Sequence, residues 1–320
     1  MIIQNYSDLA KDRGKINTLK ILTAGLESAM PQKQLQKIIN SKQIRCGKKI
    51  INLTNYDSIY LVAFGKAADS MANAVSAIIN IKKGIVVIPK DIMPKIKNHK
   101  FQIFQAGHPT PDKTSVRAAR SILKFLHQRN KDELVIFLVS GGSSALLALP
   151  DGITLNDKIR VTQELLVSGA TIQELNCIRK HLSKIKGGRL IEEMKCDAVS
   201  LVISDVMGDD LSSIASGTTY FDKTKFTDAL KILKKYRLEN KIPNSVIQRL
   251  RLGAADKIPE TPKKSKILHH IVLTNRDCLQ AMQKKSRQLG VSFKTISISG
   301  DIVNATSKLV SLIPKKKNSC

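Results

Sequence analysis

The sequence predicts an α/β protein built on a mostly parallel sheet with helices covering both faces. Three observations predict it. Short apolar runs rich in Val and Ile recur along the chain, and segments with helical spacing lie between them. Aromatic residues make up only 4% of the chain and Trp is absent, so a core must be built from Ile, Leu, Val and Ala, which suits buried parallel strands.

The strands are expected at residues 59–64 (IYLVAF), 84–88, 101–105, 134–139 (LVIFLV) and 199–203, and around 271–273. Helical spacing falls between them. Over 67–79 the apolar positions are Met71, Ala74, Val75 and Ile78; over 116–126 they are Val116, Ala119, Ile122, Leu123 and Leu126. Residues 158–167 and 176–190 also read as helices, with a break at Gly187 and Gly188. The run 253–266 carries Pro259, Pro262 and several Lys, and reads as a linker. A domain boundary is therefore expected at 255/256, followed by one strand–helix–strand unit over 269–298 and a Lys-rich tail over 314–320.

The 320 residues, 42% of them hydrophobic, suffice for one large or two medium domains. The net charge of +27 is spread along the chain without aromatic interleaving. It reads as codon bias toward Lys, Ile and Asn, and specific nucleic-acid binding is not expected. Cys46, Cys177, Cys196, Cys278 and Cys320 form no CxxC pair, which fits a reducing cytoplasm. The amino terminus lacks the apolar run of a signal peptide, and no stretch of eighteen apolar residues predicts a membrane span.

Ligands of open parallel sheets sit at the carboxyl ends of strands, where helix amino termini point. Five segments in such places carry chemistry. Ser140, Gly141, Gly142, Ser143 and Ser144 follow the run 134–139. Two glycines let backbone approach an anion, and the Ser143 and Ser144 hydroxyls could donate to phosphate; a tight strand-to-helix turn is the alternative. Gly65 and Lys66 follow 59–64. A Lys at a helix start opposes the helix dipole, a cost that an anionic ligand would relieve; an ordinary surface Lys is the alternative. Asp205, Asp209 and Asp210 follow 199–203 and suit a hard divalent cation, unless Asp210 merely caps a turn. In the rigid loop 107–112, His108 faces a ligand or packs, and Asp112 or Thr114 caps the next helix. On the helix near 176–189, Asn176, Arg179 and Lys180 share a face that could grip carboxylate or phosphate, or could simply be solvated. Neither a GxxxxGK[ST] loop nor a GxGxxG fingerprint occurs.

Taken in order, GKAADSMANAV, GHPTPD, SGGSSALL, GITLNDK, LLVSGATIQELNCIRKHLSKIKGGRL and SDVMGDDLSSIASGTTYFD resemble the signature of the glycerate 2-kinase family, also known by its MOFRL and DUF4147 domains. Some of its members are labelled hydroxypyruvate reductase. The resemblance implies a Rossmann-like three-layer sandwich over 1–255 and a second, incomplete α/β domain over 256–320. It implies phosphoryl transfer from ATP to the 2-hydroxyl of D-glycerate with Mg²⁺. Lys66, Asp205 and Arg179 would be catalytic. Gly65, Ser140, Gly141, Gly142, Ser143, Ser144 and Asp209 would hold the nucleotide, Asp205 and Asp209 the metal, and Asn176 and His108 the glycerate. ATP and a small acid are the expected partners, and a homodimer is left open.

The sequence departs from that family at three points. Ser143 replaces a Gly, and would be strained if that position needs positive φ. Met207 replaces a Pro. The family's later Gly-Gly-Glu-Thr and Gly-Arg-Gly-Gly-Arg-Asn segments, the second of which supplies an active-site arginine, do not occur, so the second domain reads as cut short. Two alternatives therefore stand beside the kinase: a non-catalytic remnant and a hydroxypyruvate reductase.

Overall fold

The computed structural model describes residues 2–296, 298 and 302–311, so the tail 314–320 and Cys320 lie outside the described residues. The chain begins with α1 (Tyr6–Leu9) and α2 (Arg13–Ser28), which belong to a compact unit formed by Met1–Met30 and Asn275–Cys320. A second unit, Pro31–Thr274, contains all the described strands. Its elements run α3 (Pro31–Ile38), β1 (Gln43–Cys46), β2 (Lys49–Asn52), β3 (Ser58–Phe64), α4 (Ala68–Ser76), β4 (Lys83–Pro89) and β5 (Phe101–Ala106). They continue with α5 (Lys113–His127), β6 (Glu133–Val139), α6 (Ser143–Leu146), α7 (Leu155–Val167), α8 (Ile172–His181), β7 (Asp197–Ile203), α9 (Phe226–Lys235), α10 (Asn244–Ala254) and β8 (Leu268–Leu273). The chain then returns to the first unit with α11 (Asn275–Gln288) and α12 (Ile302–Ser311). In that unit α2 and α11 pack closely at Gly25, where a Cβ would meet Met282.

β3 to β8 form one six-stranded sheet in the order β5-β4-β3-β6-β7-β8, with every neighbouring pair parallel. Alternation along the strands divides the core. Leu61, Ala63, Ile136 and Leu138 pack on one face with Met71, Ala72 and Val75 of α4. Tyr60, Val62, Phe64, Val135 and Phe137 pack on the other with Ala118, Ile122 and Leu126 of α5. The central strands β3 and β6 are apolar along almost their whole length because both faces are covered. A third core joins α7 to α10 through Val161, Leu165, Ile178, Phe226 and Leu250. There Gly253 lets α10 close on the Phe226 ring, since a Cβ would sit 2.2 Å from it.

Winding runs outward from β3 to β5, then returns to place β6 on the other side of β3. The reversal opens a crevice at the carboxyl ends of β3 and β6.

Some local expectations change. The β1–β2 hairpin was not anticipated, because its strands are four residues each and largely exposed. The helix expected over 176–190 ends at His181; the chain then turns so that Ser183 bridges Pro150 and Lys186 points inward. The supposed linker is docked: Glu260 accepts from the Phe226 N–H at 2.9 Å, and Thr261 donates to Asp222 at 3.1 Å. β8, beyond residue 256, pairs with β7 at the sheet edge. Among the described residues, no helix is long and apolar enough to cross a membrane.

Candidate functional site

The exits of β3 and β6 are joined by hydrogen bonds. Lys66 N–H donates to the Gly141 carbonyl at 2.9 Å, and Ala67 N–H donates to Ser140 Oγ at 3.0 Å. Gly65 has φ +129°, and a Cβ there would lie 2.1 Å from Ser140 Oγ and 2.6 Å from its carbonyl oxygen. Only glycine fits so close a crossing. The exposed Lys66 is thereby fixed in the turn that leads into α4.

Gly142, at φ +85°, is the left-handed residue of the β6 loop. A Cβ on it would come within 3.1 Å of both His108 Nε2 and Lys66 Cγ, which shows how closely these side chains gather there. A Cβ on Gly141 would meet Asp205 Oδ2 at 2.2 Å. Lys66, Gly141, Gly142, His108 and Asp205 therefore occupy one place. Burial and the neighbouring Lys66 charge hold the His108 imidazole below its usual range, with Asp91 opposing.

The serines divide. Ser143 does not take the positive φ; it starts α6, fully buried, with its hydroxyl 2.9 Å from the Phe64 carbonyl and 2.5 Å from that of Ser140. That hydroxyl serves the loop and is not free for phosphate, which corrects the expectation for Ser143. Ser140 is likewise buried and engaged with Ala67. Ser144 is half-buried, and its hydroxyl lies 2.8 Å from Ser216 Oγ.

At the β7 exit, Asp205 is exposed and Asp209 is half-buried with φ +54°. Asp210 behaves as a turn former, accepting from Ser212 N–H at 3.0 Å and from the Ser212 and Ser213 hydroxyls at 2.7 Å. Burial works against its charged form, but these bonds hold it below the usual carboxylate range. Among the described residues, no group of three or more His, Cys, Asp or Glu is arranged to hold a metal. What the site offers is one or two carboxylates.

The basic helix separates its residues. Arg179 lines a cavity of about 240 Å³ with Pro109, Pro111, Ser144 and Lys158. Asn176 does not reach that cavity: it is buried, accepts from Ser216 Oγ at 2.9 Å and donates to the Ser213 carbonyl at 3.4 Å. Lys180 makes a buried ion pair with Asp222 at 3.1 Å.

Sequence reasoning missed Lys158 and Lys186. Lys158 is 5% exposed, and among the described residues its Nζ has no hydrogen-bond partner. Burial, with Arg179 nearby, pushes its pKa down to about 7. The signal was present: Lys158, Val161 and Leu165 share the buried stripe of α7. Lys186, 1% exposed, donates to the Ala215 carbonyl and Thr218 Oγ1, both at 3.2 Å, and to the Ser143 carbonyl at 3.4 Å. Burial, then Lys158 and Arg179, drive its pKa well down.

Residues 17–251 match a protein family described as a domain of unknown function, DUF4147. A glycerate 2-kinase of Pyrococcus horikoshii is 33% identical over 90% of this chain and 66% of its own length. A putative hydroxypyruvate reductase of Agrobacterium vitis is 41% identical over 67% of this chain and 48% of its own. The crystal structure of a glycerate kinase from Thermotoga maritima superposes with a TM-score of 0.74 at 33% identity, covering 88% of this chain and 64% of that one. The chain thus spans about half to two thirds of the length of these relatives.

Proposed function

This chain belongs to the DUF4147 family, and we propose that it transfers a phosphoryl group from ATP to the 2-hydroxyl of D-glycerate with Mg²⁺. The observation that carries this reading is the gathering of Lys66, Gly141, Gly142, His108 and Asp205 where the sheet reverses its winding. The names of the relatives support the same class of reaction.

The residues present fit the two groups the reaction needs. At Gly141 and Gly142 the missing Cβ atoms let the Asp205 carboxylate, the His108 ring and the Lys66 stem lie against one loop backbone, which puts a cation for phosphate and a carboxylate for its metal side by side. Asp205 supplies hard oxygen donors, and Mg²⁺ is commonly held by one or two carboxylates together with substrate phosphates. Bound there, Mg·ATP would supply the phosphoryl group and part of its charge neutralisation.

The chain's own part is positioning and electrostatics. Lys66, held by its backbone bond to Gly141, meets the charge that builds on the transferred group; one such contact is worth about 3 kcal/mol. Asp205 and Asp209, both at the β7 exit, would hold the metal, and Asp205 would orient the acceptor hydroxyl. His108, kept mostly neutral near pH 7 by burial and Lys66, approaches the acid without adding a full charge. Arg179 faces the acid from α8. Cytoplasmic residence accords with Cys46, Cys177 and Cys196 being buried free thiols.

A coupled assay with D-glycerate, ATP and Mg²⁺ tests the proposal. ADP release should require all three, with no NADH oxidation on hydroxypyruvate. Absence of glycerate-dependent ADP release would reject it.

A further inference from the structure

The cavity between α7 and α8 has an unusual charge balance. Lys158 and Arg179 both line it, and among the described residues no Asp or Glu does. A buried ammonium normally has a hydrogen-bonded partner, because leaving it alone carries a large desolvation cost. Among the described residues Lys158 Nζ has none, although Lys158 is only 5% exposed. The acids of the neighbouring elements are committed elsewhere. Asp157 caps Thr154 N–H at 3.1 Å and accepts from Ser245 at 2.9 Å. Asp222 serves Lys180, Asp210 serves Ser212 and Ser213, and Asp151 serves Arg249. Lys186 adds a third cation beneath the β6 loop, its Nζ satisfied by oxygen atoms that bring no full negative charge.

We infer that this cavity seats an oxyanion, the carboxylate of the small acid, held between Lys158 and Arg179. Arg179 offers a planar fork for two carboxylate oxygens, and Lys158 a point charge behind it. About 240 Å³ lies below the usual range for drug-sized ligands, so the occupant is small. Pro109, Pro111, Ile159 and Leu166 give apolar walls that suit a short carbon chain. Ser144, which lines the cavity, also follows Gly142 in the β6 loop, so an acid anchored here would extend toward Gly142 and Lys66. The identity of the acid rests on the phosphotransferase reading; the seat itself rests on the uncompensated cations. Phosphate shares the same chemistry, and the experiment separates the two.

Titration calorimetry of the full chain with D-glycerate alone, and with orthophosphate alone, would compare wild type, Lys158→Met and Arg179→Gln. Both variants should bind glycerate at least tenfold more weakly. Lys158→Met, which removes an unpaired buried charge, should melt no lower than wild type, so misfolding cannot explain the loss. In turnover, KM for glycerate should rise at least tenfold while KM for ATP stays within twofold. Unchanged glycerate affinity in Lys158→Met, or no glycerate binding by wild type, overturns the inference. Weakened orthophosphate binding with glycerate binding retained overturns it in favour of a phosphate seat. Glycerate binding lost in Lys158→Met, from a wild type that releases no ADP, would sustain the seat and reject the kinase reading.

Discussion

Asp205 lies against Gly141 so closely that a Cβ at position 141 would stand 2.2 Å from its Oδ2 and 2.9 Å from its Cγ. The contact joins the exits of β6 and β7. Because the Asp205 side chain is exposed, it can swing away when crowded. Gly141→Ala should therefore leave the fold intact, with a melting temperature within about 3 °C of wild type, since the change is under about 1 kcal/mol. Turnover should fall at least tenfold, with a raised Mg²⁺ requirement. A Mg²⁺ titration of the rate in wild type and variant checks this.

The Lys180–Asp222 pair is structural. The Lys180 and Asp222 side chains are 5% and 1% exposed, and Asp222 also takes bonds from Thr224 and Thr261. Removing one partner strands the other charge, at a cost of about 3 kcal/mol or more. Asp222→Asn should lower the urea midpoint accordingly. Lys180 resembled a ligand residue in the sequence, yet Lys180→Met should affect stability first.

Lys158 gives the ligand-free protein a defined pH dependence. Its folded pKa is pushed down to about 7 from an ordinary 10.5. Between those values the unfolded chain binds the extra proton and the folded chain does not, so this group makes stability rise with pH from about 7 toward 10.5. Below about 7 both states carry the proton and the contribution is flat. Chemical denaturation across that window should show the rise in wild type and a smaller slope in Lys158→Met.

Much of this was legible in the sequence, for physical reasons. The runs that became β3, β4, β6 and β7 are apolar on both faces, a pattern that buried parallel strands impose. Lys66, Gly141, Gly142 and Asp205 each follow such a run, so parallel strands were bound to deliver them to one edge. Residue type could not tell which hydroxyls and cations face inward. Ser143 and Ser144 are neighbours of identical chemistry, and only the turn of α6 buries one and leaves the other at the cavity. Asn176, Arg179 and Lys180 share a helix, yet the packing of α9 and the β7 loop sends them to different partners. Lys158 stood among 53 Lys and Arg, and charge count alone concealed its place on an apolar stripe.

The proposed phosphate site lies at the meeting of β3 and β6, with Lys66 as its cation. The most direct test is glycerate-dependent ADP release by wild type and by Lys66→Ala, at saturating ATP, on protein shown to melt normally. Loss of one preorganised charge at the transferring group predicts a fall in kcat of about 100-fold or more. Equal rates in the two proteins would contradict it.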